Sequence, residues 1–270
     1  MLKYKYKKRN GVKISMKTRI LSGIMMLPLL LIILSKGMPL YIASFLLTLI
    51  SIKEFSSALN TKNIVNYPIF GYILSTIFFI NNIIDLDKSI FIILITMVSL
   101  LNVVCTTFKS NKIFDLLIIF IGYIYITLGF NAIIFTSNHS IELMWIIFII
   151  SLVSDTMAYF IGSIFGKHKL VPKLSPKKTI EGSIGAIFFC TLSCVLFGLN
   201  FNLNIGLMIF IGILGSIISQ LGDLLASFVK RYVGIKDYGN IIPGHGGILD
   251  RFDSVILVSQ FIYIIVSIIY

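Results

Sequence analysis

Charge is what this sequence has least of. Asp, Glu, Lys and Arg make up 13% of its 270 residues, hydrophobic residues make up 57%, and the mean hydropathy is +0.98. A soluble domain of this size would carry roughly 25% charged residues, which excludes water as the main solvent. Cysteine is also scarce. Cys105, Cys190 and Cys194 all lie inside apolar runs, which excludes a disulfide framework and argues against a zinc site. The apolar runs lack apolar/polar alternation, so membrane-spanning strands are excluded. No small-residue cleavage site follows the first run, so it is expected to stay as an anchor rather than leave as a secretory signal. Up to Glu142 there is no nucleotide fingerprint, no internal repeat and no low-complexity linker.

What the sequence does have is apolar runs, recurring along nearly its whole length. Many are long enough to cross a ~30 Å hydrocarbon core as a helix. Lipid offers backbone groups no partners, so such runs must be helical. The predicted fold class is all-α, a polytopic membrane helical bundle of about nine spans. They are placed at Ile20–Ser35, Gly37–Ile52, Tyr67–Ile84, Ser89–Phe108, Ile113–Thr136, Leu143–Phe165, Ser183–Asn200, Leu203–Gly222 and Ser254–Tyr270. With the N-terminus in the cytoplasm, every Lys and Arg of the 23 except Lys36 and Lys88 falls on the cytoplasmic side. Such asymmetry is the mark of correctly placed spans. Residues 1–19 then form a basic cytoplasmic tail, 20–142 the N-terminal spans, and 143–270 a catalytic region with cytoplasmic loops at 166–182 and 223–253.

The formal charge of +12 is therefore a topology signal and implies no nucleic-acid partner. The tail from Lys3 to Arg19 suits anionic membrane lipids, at about 1 kcal/mol per basic residue near the surface. Glu54, just past the second span, reads as a solvated interface group.

Polar residues with chemical promise start at Asp155, inside the sixth span. A carboxylate there costs a few kcal/mol to insert, so a function or a partner is expected. Tyr159 lies one turn later on the same face. The loop at 166–182 carries five lysines, with Lys177 and Lys178 just before the seventh span, where lysines and helix amides suit phosphate. From Gly222 to Asp253 the polar groups crowd together. If the eighth helix continues through this stretch, Asp223, Ser227, Lys230 and Arg231 share one face. Lys236-Asp237 follows, then Pro243-Gly-His-Gly-Gly-Ile-Leu-Asp-Arg-Phe-Asp253, whose glycines permit a tight turn or close approach to a ligand. Asp250 and Asp253, three apart, can face one ion if that stretch is helical. Hard oxygen ligands suit Mg2+, and Lys and Arg beside them suit a departing pyrophosphate. The combination points to phosphoryl or nucleotidyl transfer at a membrane surface.

The run from Ser227 to Asp253 resembles the signature of phosphatidate cytidylyltransferases: Ser, two residues, Lys-Arg, four residues, Lys-Asp, then Pro-x-His-Gly-Gly-x-x-Asp-Arg-x-Asp. Asp155 to Tyr159, Gly162, Phe165 to Lys167 and Ser175 to Gly182 resemble a second block of that family. Two positions depart from the pattern: Ala226 stands where an acid is usual, and Tyr238 where serine is frequent. The resemblance implies transfer of a cytidylyl group from CTP to phosphatidic acid, with release of pyrophosphate, at the cytoplasmic face of a bacterial inner membrane. It implies Mg2+, with room for a second cation, on Asp223, Asp250 and Asp253. Catalytic roles fall to Asp223, Ser227, Lys230 and Asp250. Substrate binding falls to Asp155, Lys177, Lys178, Arg231, Lys236, His245 and Arg251, and a homodimer is implied. His245 is expected to bind phosphate or shape the loop rather than act as a base, because the attacking phosphate is already an anion. The rival readings are a CTP-using lipid kinase of the polyprenol type, a membrane transporter and a catalytically inactive relative. Asp250→Asn is expected to abolish cytidylyl transfer while membrane insertion, followed by fractionation, stays intact.

Overall fold

The computed structural model describes residues 36–107, 113–172, 174–241 and 246–269. The expected span Ile20–Ser35, the basic tail and His245 lie outside the described residues. Eight helices and one two-stranded hairpin follow in order: α1 (Met38–Asn60), α2 (Pro68–Ile84), α3 (Lys88–Thr107), α4 (Ile113–His139), α5 (Ile141–Phe165), β1 (Lys169–Val171), β2 (Ser175–Thr179), α6 (Ile180–Asn200), α7 (Ile205–Val233) and α8 (Leu249–Ile269). Seven of the helices are long and apolar enough to cross a membrane; α2, with 17 residues, is shorter. The second to ninth expected spans each coincide with one helix. The count of nine is not reached among the described residues, where eight helices occur.

Local chemistry sets the helix ends. Pro39 and Pro68 sit in the first turns of α1 and α2, where a missing N–H costs nothing. The Asp87 carboxylate accepts from Ser89 N and Ile90 N at the start of α3. The Ser140 hydroxyl accepts from Leu143 N to cap α5, and the Thr179 hydroxyl accepts from Gly182 N to cap α6. Two helices run beyond their expected apolar spans. α1 runs on from Ile52 to Asn60, and α7 runs on from Gly222 to Val233. In both, charged residues sit where the apolar run ends, and a helix needs no apolar residues once the protein satisfies those charges.

The chain falls into two compact units, Met1–Thr127 with Val229–Arg251, and Leu128–Phe228 with Phe252–Tyr270. In the first, α1 packs on α2 and α2 on α3. Its core holds Leu40, Leu47, Ile52, Phe55, Leu59, Ile119 and Tyr123. Tyr123 spends its hydroxyl on Asn66 Oδ1 at 3.0 Å, so its ring can lie fully buried. Ile90, Ile92, Ile93, Met97, Leu100 and Leu101 of α3 face outward, a surface suited to lipid and not to water.

In the second unit α5 packs closely on α6. Gly162, Gly182 and Gly185 make the approach possible. A Cβ on Gly182 would lie 2.5 Å from the Ala158 carbonyl oxygen and 3.0 Å from Thr179 Oγ1. The stretch at 166–182, expected as a cytoplasmic loop, holds the hairpin β1–β2; its strands are antiparallel, pairing Lys169 with Thr179 and Val171 with Ser175. Ser259 Oγ donates to Gly129 O at 2.7 Å, and the Ser154 and Ser216 hydroxyls lie 3.0 Å apart. These bonds satisfy hydroxyls that lipid could not.

Gly182→Ala is expected to lower stability by ~1–3 kcal/mol, because the added methyl meets backbone and the α6 cap. Thermal unfolding of the detergent-solubilised protein would measure it.

Candidate active site

The signature residues fall into two clusters, one in each unit. The first is built where α7 ends and α8 begins. α7 stops in a Schellman motif: Gly234, at φ 80°, donates to Arg231 O, and Ile235 N donates to Lys230 O at 2.9 Å. Lys230 and Arg231 thus occupy the last turn, where cations suit the helix dipole. Arg231 Nη1 donates to Ile235 O at 3.0 Å and stiffens the exit.

Lys230 is 8% exposed, and its ammonium donates to Asp250 Oδ1 at 2.8 Å. Asp250 Oδ2 accepts from Tyr238 N at 2.8 Å and from Gly247 N at 3.0 Å. One ammonium and two amides therefore hold this carboxylate. Charge-assisted bonds of this kind can offset the cost of removing an ion pair from water. Gly246, at φ 92°, makes the turn before the helix, and a Cβ there would sit 3.0 Å from Asp250 Oδ2.

Glu54, read from sequence as a solvated interface group, is 4% exposed. Its Oε1 accepts from Ile248 N at 3.0 Å, and its Oε2 from Leu249 N at 2.9 Å. Asp115 was also missed: it is buried and accepts a 2.6 Å bond from the Tyr232 hydroxyl. Lys62 Nζ lies 3.1 Å from the centre of the same Tyr232 ring, a cation–π contact. The sequence offered one usable signal, namely that carboxylates are few and each at a span end needs a partner. It offered no indication of which partner.

The second cluster joins β2 to α7. Lys178 Nζ lies 2.5 Å from Asp223 Oδ2; the ammonium is buried and meets the carboxylate as an ion pair without an aligned hydrogen bond. The side chains are 17% and 27% exposed, so this pair is the more open of the two lysine–aspartate pairs. Gly222 lets α7 approach α8 beside it, since a Cβ there would lie 2.8 Å from the Asp253 carbonyl oxygen. Asp253 is 7% exposed, and its Oδ1 accepts from Ser254 N at 2.8 Å. The Ser254 hydroxyl donates to Asp155 Oδ2 at 3.2 Å. Asp155 and Tyr159 share the exposed side of α5, as one-turn spacing predicts. Glu181 anchors the base of the hairpin: its carboxylate accepts from Lys167 N at 3.1 Å and His168 N at 3.2 Å, and pairs with His168 Nδ1 at 2.7 Å.

The expected residues are thus distributed plainly. Lys230 meets Asp250, and Lys178 meets Asp223. Ser227 is buried on α7, one turn beyond Asp223. Lys177, Lys236 and Arg251 are exposed, and Arg231 is half-buried on its own turn. Asp250 and Asp253 do lie on one helix, as their expected pairing required. Among the described residues neither unit gathers three His, Cys, Asp or Glu side chains into a metal-holding group. Mg2+ does not need three, because it typically takes one or two carboxylates and fills its shell with water and substrate phosphate. The donors present are hard oxygens, and at Asp223 and Asp250 a lysine ammonium already sits where a cation would. The residues fit the ion on that count.

A sequence model of the Cytidylyltransferase family matches residues 17–269. The chain belongs to that family. Among curated relatives, a phosphatidate cytidylyltransferase of Staphylococcus aureus (strain COL) is 35% identical over 260 residues, covering 93% of this chain and 98% of its own length. One from Staphylococcus epidermidis is 34% identical over 260 residues, and one from Staphylococcus haemolyticus 36% over 258. Membership of the cytidylyltransferase family therefore extends to the N-terminal helices, where the sequence motifs alone were silent.

Lys230→Met leaves the 4% exposed Asp250 side chain without its counter-ion and is expected to cost ~3 kcal/mol. The double change Lys230→Met with Asp250→Asn, which removes the charge but keeps an acceptor for the Tyr238 and Gly247 amides, should recover part of that loss. Thermal unfolding without substrate measures both.

Proposed function

We infer that this chain transfers the cytidylyl group of CTP to phosphatidic acid, giving CDP-diacylglycerol and pyrophosphate. The observation that carries the inference is the family match over residues 17–269 together with a buried Lys230–Asp250 pair inside the signature. An oxygen of the lipid phosphate attacks the α-phosphorus of CTP. The new P–O bond forms as the bond to the β-phosphate oxygen breaks, and pyrophosphate leaves with its electron pair. The attacking group is already an anion near neutral pH, so no strong base is required. The task of the protein is to position two anions and absorb the charge that develops on the leaving group.

Lys178 and Lys230 suit this task. Each is held by one carboxylate and can turn toward a phosphate while remaining near its aspartate. Arg231, Lys177, Lys236 and Arg251 complete the basic set, and His245 belongs to the same proposal. Asp223, Asp250 and Asp253 are the carboxylates proposed for Mg2+, which when bound to CTP neutralises charge on the phosphates. Asp155 and Ser227 are proposed to contact substrate. Phosphatidic acid reaches the enzyme sideways from the bilayer, so no further lipid pocket is needed. The Lys and Arg distribution supports a cytoplasmic-facing site on the inner membrane, where CTP is available. A homodimer is part of the same proposal.

Detergent-solubilised protein with phosphatidic acid, Mg2+ and CTP labelled at the α- or γ-phosphate tests the reaction. The α-label is expected in the lipid and the γ-label in pyrophosphate. Entry of the γ-label into lipid would establish a lipid kinase instead, and transfer of neither label by folded protein would sink the enzymatic reading.

A further inference from the structure

Glu54 has no part in the signature and sits on α1, 194 and 195 residues before the two amides it holds. Its placement is not that of a surface acid. The side chain is buried, and each oxygen takes one amide, from Ile248 just before α8 and from Leu249, its first residue. The next amide back, Gly247 N, goes to Asp250 Oδ2, as does Tyr238 N from the start of the loop. Two carboxylates thus grip one short turn, Glu54 through residues 248 and 249 and Asp250 through residue 247. The turn cannot rotate without breaking bonds to both.

Two glycines make room for this arrangement. A Cβ on either Gly239 or Gly247 would press into the Glu54 carboxylate. Gly247, the last glycine of the Gly-His-Gly-Gly stretch, is therefore needed for the approach of Glu54. On its other flank, Phe55 rests against Tyr123 at 5.9 Å and Tyr238 at 6.5 Å between ring centres, so the strand of contacts behind the carboxylate is aromatic and stiff. The beginning of a helix is a natural anion position. In α8 the protein fills that position with its own carboxylate.

We propose that Glu54 is a positioning residue for cytidylyl transfer: it fixes the Gly247–Leu249 turn and thereby the direction in which Asp250 and Lys230 are presented. The proposal deepens the transferase reading and rests on it. Glu54 touches neither substrate nor reacting atoms in this role; it acts through the turn.

The test uses the full chain in detergent, with Glu54→Gln, Glu54→Asp and Gly239→Ala. Hydrogen exchange of a peptide covering residues 246–250 reads the turn directly, without reference to activity. Glu54→Gln is expected to speed that exchange about tenfold or more. It should lower kcat on the order of 10- to 100-fold, the scale of a small misplacement of catalytic groups. KM for CTP should stay within about threefold, since the other proposed phosphate-binding cations, Lys178 among them, are untouched. Glu54→Asp keeps the charge and should restore part of both the protection and kcat. If Glu54→Gln does not fold, Gly239→Ala, which displaces the carboxylate and keeps its charge, carries the same criteria. Faster exchange with unchanged kcat would overturn the proposal, and so would lost kcat with unchanged exchange. Wild-type protein that transfers nothing from CTP would overturn the transferase reading instead, and the exchange result would still decide whether Glu54 clamps the turn.

Discussion

Every charge that this chain takes out of water has to bring its own partner. Lipid cannot hydrogen-bond to a carboxylate or an ammonium, and 57% hydrophobic composition leaves few polar groups to choose from. The Asp250 carboxylate meets the condition most fully, with one ammonium and two amides on its two oxygens. The same condition explains Glu54 on two helix amides, Asp115 on the Tyr232 hydroxyl and Lys178 against Asp223. Each pairing ties together segments far apart in sequence, and the turn before α8 owes its shape to the ties of Glu54 and Asp250.

The pairings also suit the chemistry. On the proposed reading, a lysine that neutralises an aspartate in the resting protein is already positioned and desolvated for a phosphate, which would exchange with the carboxylate at the same ammonium. The Asp223 pair is the more open and the Asp250 pair the more enclosed. The first is therefore the easier to exchange, whereas the second is better suited to holding geometry constant.

The helices were legible because apolar run length and the lack of alternation leave one solution in a bilayer. The extension of α7 was legible as a condition, since Asp223, Ser227, Lys230 and Arg231 make sense together only on a helix. Its end at Gly234, a Schellman stop, was not among the expectations. The hairpin was not legible: its strands hold three and five residues, with Ser-Pro-Lys-Lys-Thr giving no alternation of burial to read. Of the candidate site, the signature carried Lys230 and Asp250, and the helical spacing to Ser227 carried Asp223, but neither showed which lysine meets which aspartate. Glu54 and Asp115 were missed for one shared reason. Their partners are far away in sequence, and the partners of Glu54 are backbone amides, which no side-chain pattern records.

The link from Glu54 to Leu249 also has a temporal side. A ribosome adds roughly 5–20 residues per second, so the 195 residues between them take about 10 to 40 s to make. Throughout that time α1 has entered the membrane carrying a carboxylate whose eventual donors do not yet exist. The nascent protein therefore passes through a period in which the Glu54 carboxylate relies on water rather than on the amides of residues 248 and 249. Synthesis of residues 248 and 249 ends that period, so closure of the turn follows long after α1 has been made.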